Sequence, residues 1–151
     1  MKEAVSKPDA ARHLPFYLCA LLAYVAVSVG CGGLPSVSGK VLLDGKPVHG
    51  ANNLRCIVLF YPESGSGAPA VAVVDKSGKY SLGTGSRKGA LAGRYKVAVT
   101  VKELSDPGPK GGLPGSRRLS PKKYADPNTS GWIIEVVPGA NEFDFEIDTG
   151  A

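Results

Sequence analysis

From Leu34 onward, glycine and proline interrupt the chain about every ten residues, and the stretches between them are short and rich in Val, Ile, Leu, Tyr and Phe. This punctuation constrains the fold more than any other feature. A surface helix needs apolar residues recurring with a 3.6-residue period, and no segment after Cys31 sustains one. β-Branched and aromatic runs bounded by turn formers specify strands instead. The expected fold is all-β, a single sandwich of about seven strands over residues 36–148.

Alternation places the strands. SVSGKVLL leads through Asp44-Gly45, a pair that tolerates positive φ and suits a tight hairpin, into a short edge strand around Pro47-Val48. LRCIVLFYP is apolar on both faces and belongs in the centre of a sheet. A Gly- and Ser-rich loop over 63–69 precedes AVAVVD, and a turn at 75–78 returns the chain through KYSL with Tyr80 and Leu82 on one face. In GRYKVAVTVKE, Tyr95, Val97, Val99 and Val101 face the core, while Lys96, Ala98 and Thr100 face a wet or weakly packed side. WIIEVV and NEFDFEID are expected to form a hairpin closing at 138–141. Phe143, Phe145 and Ile147 then point inward, and Glu142, Asp144, Glu146 and Asp148 outward.

Residues 1–30 have a different character. Lys2, Lys7, Arg12 and His13 lie in a polar start, and Leu14 to Val29 is apolar apart from Ser28. An apolar core of about 16 residues is short of the roughly 20 that span a bilayer, so the segment reads as an export signal. Val27-Ser28-Val29-Gly30-Cys31 resembles a bacterial lipobox, with Ser28 where leucine is usual. Cys31 is therefore the expected lipidation site, residues 1–30 a lipoprotein signal peptide and 31–35 a tether. The expected location is extracytoplasmic, anchored to a cell-envelope membrane through two or three acyl chains, since one alone holds a soluble domain only marginally.

Cleavage before Cys31 would remove Lys2, Lys7, Arg12, Glu3 and Asp9, leaving 15 Lys and Arg against 11 Asp and Glu. That mild, dispersed excess gives no reason to expect nucleic acid. Cys19 would leave with the signal and Cys31 would be acylated, so Cys56 has no disulfide partner and reads as a small buried hydrophobe. A catalytic thiol would want a histidine nearby, and after cleavage only His49 is left. Asp144, Glu146 and Asp148 share a strand face where solvation is their expected role, so neither a metal site nor a cofactor is expected.

Residues 104–131 hold almost no apolar run, and a connection this long in a small domain is functional or disordered. Arg117, Arg118, Lys122 and Lys123 stand close enough in sequence there to present one cationic patch to anionic headgroups or acidic glycans. Tyr61, Tyr124 and Trp132 are the candidate stacking surfaces for a sugar. The competing role for Tyr124 and Trp132 is to pin the long segment to the sandwich.

VSGKVLLDGKPVHGA, VLFYPE, DKSGKYSL and GALAGRYKVAV, in that order, resemble the carboxypeptidase regulatory-like domain in its small bacterial lipoprotein form. PKKYADPNTSGWIIEVVPGANEFDFEI is similar to the C-terminal part of the same lipoproteins. The resemblance implies a transthyretin-like, Greek-key sandwich without a family-wide active site. The expected function is thus a non-enzymatic, lipid-anchored envelope module that binds a partner, an envelope protein or a glycan, or serves a structural role. The alternative is a carbohydrate-binding module of the envelope.

Overall fold

Alternating burial along the first strand sets the geometry of the smaller of two sheets. β1 (Ser36–Leu43) buries Val37, Gly39 and Val41 and turns Ser36, Ser38 and Lys40 to solvent. Asp44 and Gly45 follow with φ of 50° and 74°, the tight-turn geometry expected of an Asp-Gly pair, and lead into β2 (Lys46–Pro47). The computed structural model describes residues 33–50, 53–106 and 115–150. The expected signal segment, Cys31 and residues 107–114 of the long segment lie outside the described residues.

The chain continues through β3 (Leu54–Pro62), β4 (Ala70–Val73), β5 (Lys79–Ser81), β6 (Gly83–Thr84) and β7 (Arg87–Lys88). Then come β8 (Gly93–Ser105), β9 (Gly115–Arg118), a 3-10 turn (Lys122–Ala125), β10 (Ile133–Val136), β11 (Ala140–Glu142) and β12 (Phe145–Ile147). In the larger sheet the order is β10-β8-β3-β4-β6-β7, with β9 added to β8. The smaller sheet is built around β1. β5 and β2 pair antiparallel with it, and β11 and β12 pair parallel.

The fold is all-β with the character of a sandwich, and one apolar core draws on both sheets. Val37, Val41, Tyr80, Phe145 and Ile147 come from the smaller sheet, and Cys56, Val58, Phe60, Tyr95, Val97 and Val99 from the larger. Phe60 is fully buried, 5.9 Å from the Tyr95 ring and 5.9 Å from the Phe145 ring, the latter edge to face. Its complete burial contributes about 1.5–3 kcal/mol, and the aromatic pairing adds to that.

Along β8 the expected inward residues Tyr95, Val97, Val99 and Val101 are buried, as are Phe145 and Ile147 of β12, while Phe143 is half-buried against the core. Pairing partners differ from expectation in two places. WIIEVV and NEFDFEID form no hairpin: β10 lies on β8 in the larger sheet, and after the turn at 137–139 the chain crosses to β1. KYSL likewise leaves β4 and joins β1. Ala98 is fully buried on the side expected to be wet, because its short methyl lies between Lys96 and Thr100 along β8 and opposite Leu59 of β3.

The described parts of the 104–131 segment are more regular than a loop. β8 runs to Ser105, and β9 folds back on it from Gly115. Leu119 N–H then donates to the Val101 carbonyl, and Val101 N–H donates to Ser120 Oγ at 3.1 Å. Farther along β8, Val97 N–H donates to the Trp132 carbonyl before β10 takes over the edge.

β1 changes partner from β11 to β12 at Gly39, which faces Phe143. A side chain at Gly39 would collide with the Phe143 carbonyl, and that carbonyl accepts the Tyr80 hydroxyl at 2.6 Å from across β1. Lys40 N–H donates to Asp144 Oδ1 at 2.7 Å, so a side chain fills the gap in the ladder. Gly39→Ala is expected to lower stability by about 2–4 kcal/mol, since the obstruction is backbone. Tyr80→Phe should cost about 1–2 kcal/mol. Urea unfolding followed by Trp132 fluorescence checks both, and an unchanged midpoint for Gly39→Ala would refute the close approach.

Candidate functional site

Directly paired residues in a sheet project from the same face, with Cβ atoms about 4.5–5.5 Å apart. Arg55 of β3 is paired with Lys102 of β8, and Lys102 with Arg118 of β9. Three cations thus stand in a row across three strands on the face of the larger sheet turned away from the core. Opposed like charges cost about 0.2–1 kcal/mol per pair relative to neutral residues. Among the described residues none of the three meets a carboxylate. Lys122 joins them, lining a shallow groove with Lys102, Arg118 and the hydroxyl-bearing Ser116 and Ser120.

The four cations expected to form one patch are therefore divided. Arg117 points to the other face and is held by Glu103, with Nη2 2.8 Å from Oε2. Lys123 lies over the Tyr124 ring, 4.6 Å from its centroid. Only Arg118 and Lys122 enter the groove. Arg55 and Lys102, which complete the row, are distant in sequence, and strand register alone unites them.

The same face carries exposed apolar side chains next to the row. Ile57 is paired with Thr100 and Val73, Leu59 with Ala98 and Val71, and Tyr61 with Lys96, which in turn faces Ile133. Val73 and Ile133 are 53% and 51% exposed, Val71 40% and Tyr61 38%. At the far end of the face the charges balance, with Arg94 paired across the ladder with Glu135 and bonded to Glu63 at 3.1 Å.

The other sequence candidates, and the polar side chains of Asn141 and Asp75, have structural employment. Tyr124 stacks on Trp132 at 4.8 Å, and Trp132 meets Phe145 at 5.0 Å, so these two rings pin the 3-10 turn onto the core. Cys56 is fully buried, and loss of solvent pushes its thiol up to about 12, which keeps it protonated and unreactive at neutral pH. Asp144 serves the Lys40 N–H, and Asp148 accepts from Gly150 N–H. The Asn141 amide is engaged by the backbone of Ser36 and Val137. Asp75 accepts from the Ser77 hydroxyl and N–H and the Lys79 N–H, and those bonds, the Ser77 hydroxyl first, hold its carboxyl below the ordinary range.

Comparisons with models of protein families, with curated proteins and with solved structures gave no match to the chain. Among the described residues no helix is long and apolar enough to cross a membrane.

A cationic row of this kind is a cost to the fold, and replacing its centre should relieve that cost. Lys102→Glu is expected to raise stability by about 0.5–1 kcal/mol at low salt, by setting a carboxylate between Arg55 and Arg118. The gain should shrink as salt is added. Thermal melts at two ionic strengths measure it, and a salt-independent loss would contradict the arrangement.

Proposed function

We propose that the protein is a non-enzymatic β-sandwich module of the cell envelope, tethered to a membrane by lipid on Cys31, with a binding or structural role. The observation that carries this reading is that residues from Val37 to Ile147 supply one apolar core shared by both sheets. Val37 is its first member, and Pro35 is already fastened to the sandwich through the hydrogen bond from Ala90 N–H to its carbonyl. Loss of a signal segment and acylation at Cys31 would leave that core untouched.

The likeness to carboxypeptidase regulatory-like lipoproteins supports the same conclusion, because the implied transthyretin-like sandwich is a module without a family-wide active site. Arg55, Lys102, Arg118 and Lys122, which meet no carboxylate among the described residues, favour binding over a purely structural role. The carbohydrate-binding alternative draws less support. Of its three aromatic candidates, Tyr124 is buried and Trp132 is wedged between two rings, which leaves Tyr61.

Cys31→Ser is expected to abolish acylation and shift the protein from the detergent phase to the aqueous phase on phase separation, with an unchanged melting temperature. Parent-like partitioning and unaltered mass processing in the variant would overturn the anchor.

A further inference from the structure

The outer face of the larger sheet combines two features that water does not reward. One end carries Arg55, Lys102, Arg118 and Lys122 with no carboxylate partner among the described residues, and the centre exposes Val71, Val73, Tyr61 and Ile133. Lys88, paired with Gly83 beside Val71, adds a cation at the β7 edge. We propose that this face docks flat on an anionic phospholipid bilayer, with the cations on phosphate groups and the aliphatic side chains and Tyr61 at the headgroup boundary.

Charge complementarity selects the anion, and the apolar centre selects the bilayer. A hydrated acidic polysaccharide would neutralise the cations but leave Val71, Val73 and Ile133 facing water. A lipid interface accommodates phosphate contacts and aliphatic burial side by side, and an interfacial tyrosine is at home there. The groups involved are spread over β3, β4, β8, β9 and β10, so a rigid sheet presents them without an ordering cost at binding.

The entry point of the chain suits this orientation. Gly89 directly follows β7, and a side chain there would collide with the Pro35 carbonyl and crowd Leu34, so the residues leading into β1 run along the β7 edge of the larger sheet. Leu34 is three positions beyond Cys31, about 10 Å at full extension. A lipid on Cys31 would thus hold the edge of this face near the bilayer. Docking rests on the tethered reading for that proximity, and the chemistry of the face is independent of it.

The test uses the full chain incorporated in vesicles, carrying Tyr61→Trp on the docking face or Glu146→Trp on the opposite side of the sandwich, with the parent's Trp132 as baseline. In vesicles of brominated phosphatidylglycerol, the fluorescence added by Tyr61→Trp should be quenched and blue-shifted, and that added by Glu146→Trp should not. In brominated phosphatidylcholine both should stay unquenched, and added salt should reverse the effect in phosphatidylglycerol. Each of Arg55→Gln, Lys102→Gln, Arg118→Gln and Lys122→Gln should lower the ratio of docked to undocked protein about fivefold. Circular dichroism verifies that each variant is folded.

Failure to float with vesicles defeats the anchor. Protein that floats while the Tyr61→Trp reporter stays unquenched in anionic lipid defeats the docking face alone. Equal quenching of the two reporters, or equal quenching in both lipids, also overturns it. A response of the Tyr61→Trp reporter to soluble polygalacturonate without quenching by brominated lipid would reassign the face to acidic glycans and refute the bilayer.

Discussion

The close approach of Gly39 to the Phe143 carbonyl is the constraint around which the smaller sheet is organised. β1 is that sheet's centre, and all its partners are short, so the sheet holds only if each segment meets β1 at a defined point. At Gly39 three of them are brought together. Tyr80 of β5 reaches across the glycine to the Phe143 carbonyl, and the Asp144 carboxylate takes the Lys40 N–H that a regular ladder would have used. Phe145 then follows in position to meet Phe60 edge to face, and the register of the last strand becomes the packing of the core. The glycine is needed here for space, not for an unusual backbone angle.

A second constraint comes from the length of β8. Its thirteen residues exceed any single partner, and a bare stretch of central strand would leave buried backbone groups without hydrogen bonds. β3 covers one edge from Tyr95 to Glu103. The other edge is covered piecewise by β10, the Trp132 carbonyl, Ser120 Oγ, Leu119 and β9. Tyr124 and Trp132 clamp the intervening 3-10 turn. What reads in sequence as a long polar connection is thus an edge cover, and its β9 end brings Arg118 beside Lys102. Closing that edge with a basic segment completes the cationic row that Arg55 and Lys102 begin.

Much of the fold was legible because alternation reports which way a side chain faces. Tyr95, Val97, Val99 and Val101 of β8, and Phe145 and Ile147 of β12, all lie inward as period alone places them. Alternation does not report which strand lies alongside. A Pro-Gly pair before Asn141 fits a hairpin as well as it fits a crossing between sheets, and only the competition for β1's free edge decides for the crossing. The same limit explains the site. Arg118 and Lys122 stood out because they are near in sequence, whereas Arg55 and Lys102 look like ordinary solvent-facing positions until the β3–β8 register sets them side by side. Arg117 shows the reverse error, since one step along a strand turned it to Glu103 on the other face.

The parallel pairing of β1 with β11 and β12 also has a mechanical meaning. The chain enters the sandwich at Ser36 and leaves past Ile147, so the two points of attachment lie at opposite ends of adjacent, co-directional strands. Tension applied between Ser36 and the end of β12 would load these ladders in shear, with the backbone bonds from Ser36 to Leu43 resisting together and not opening one at a time. Thr149 donates its N–H and its hydroxyl to the Asp44 carboxylate, at 2.9 and 2.8 Å, and these bonds lock the far end of the same seam. Force applied along these strands would meet the whole seam at once rather than its last bond.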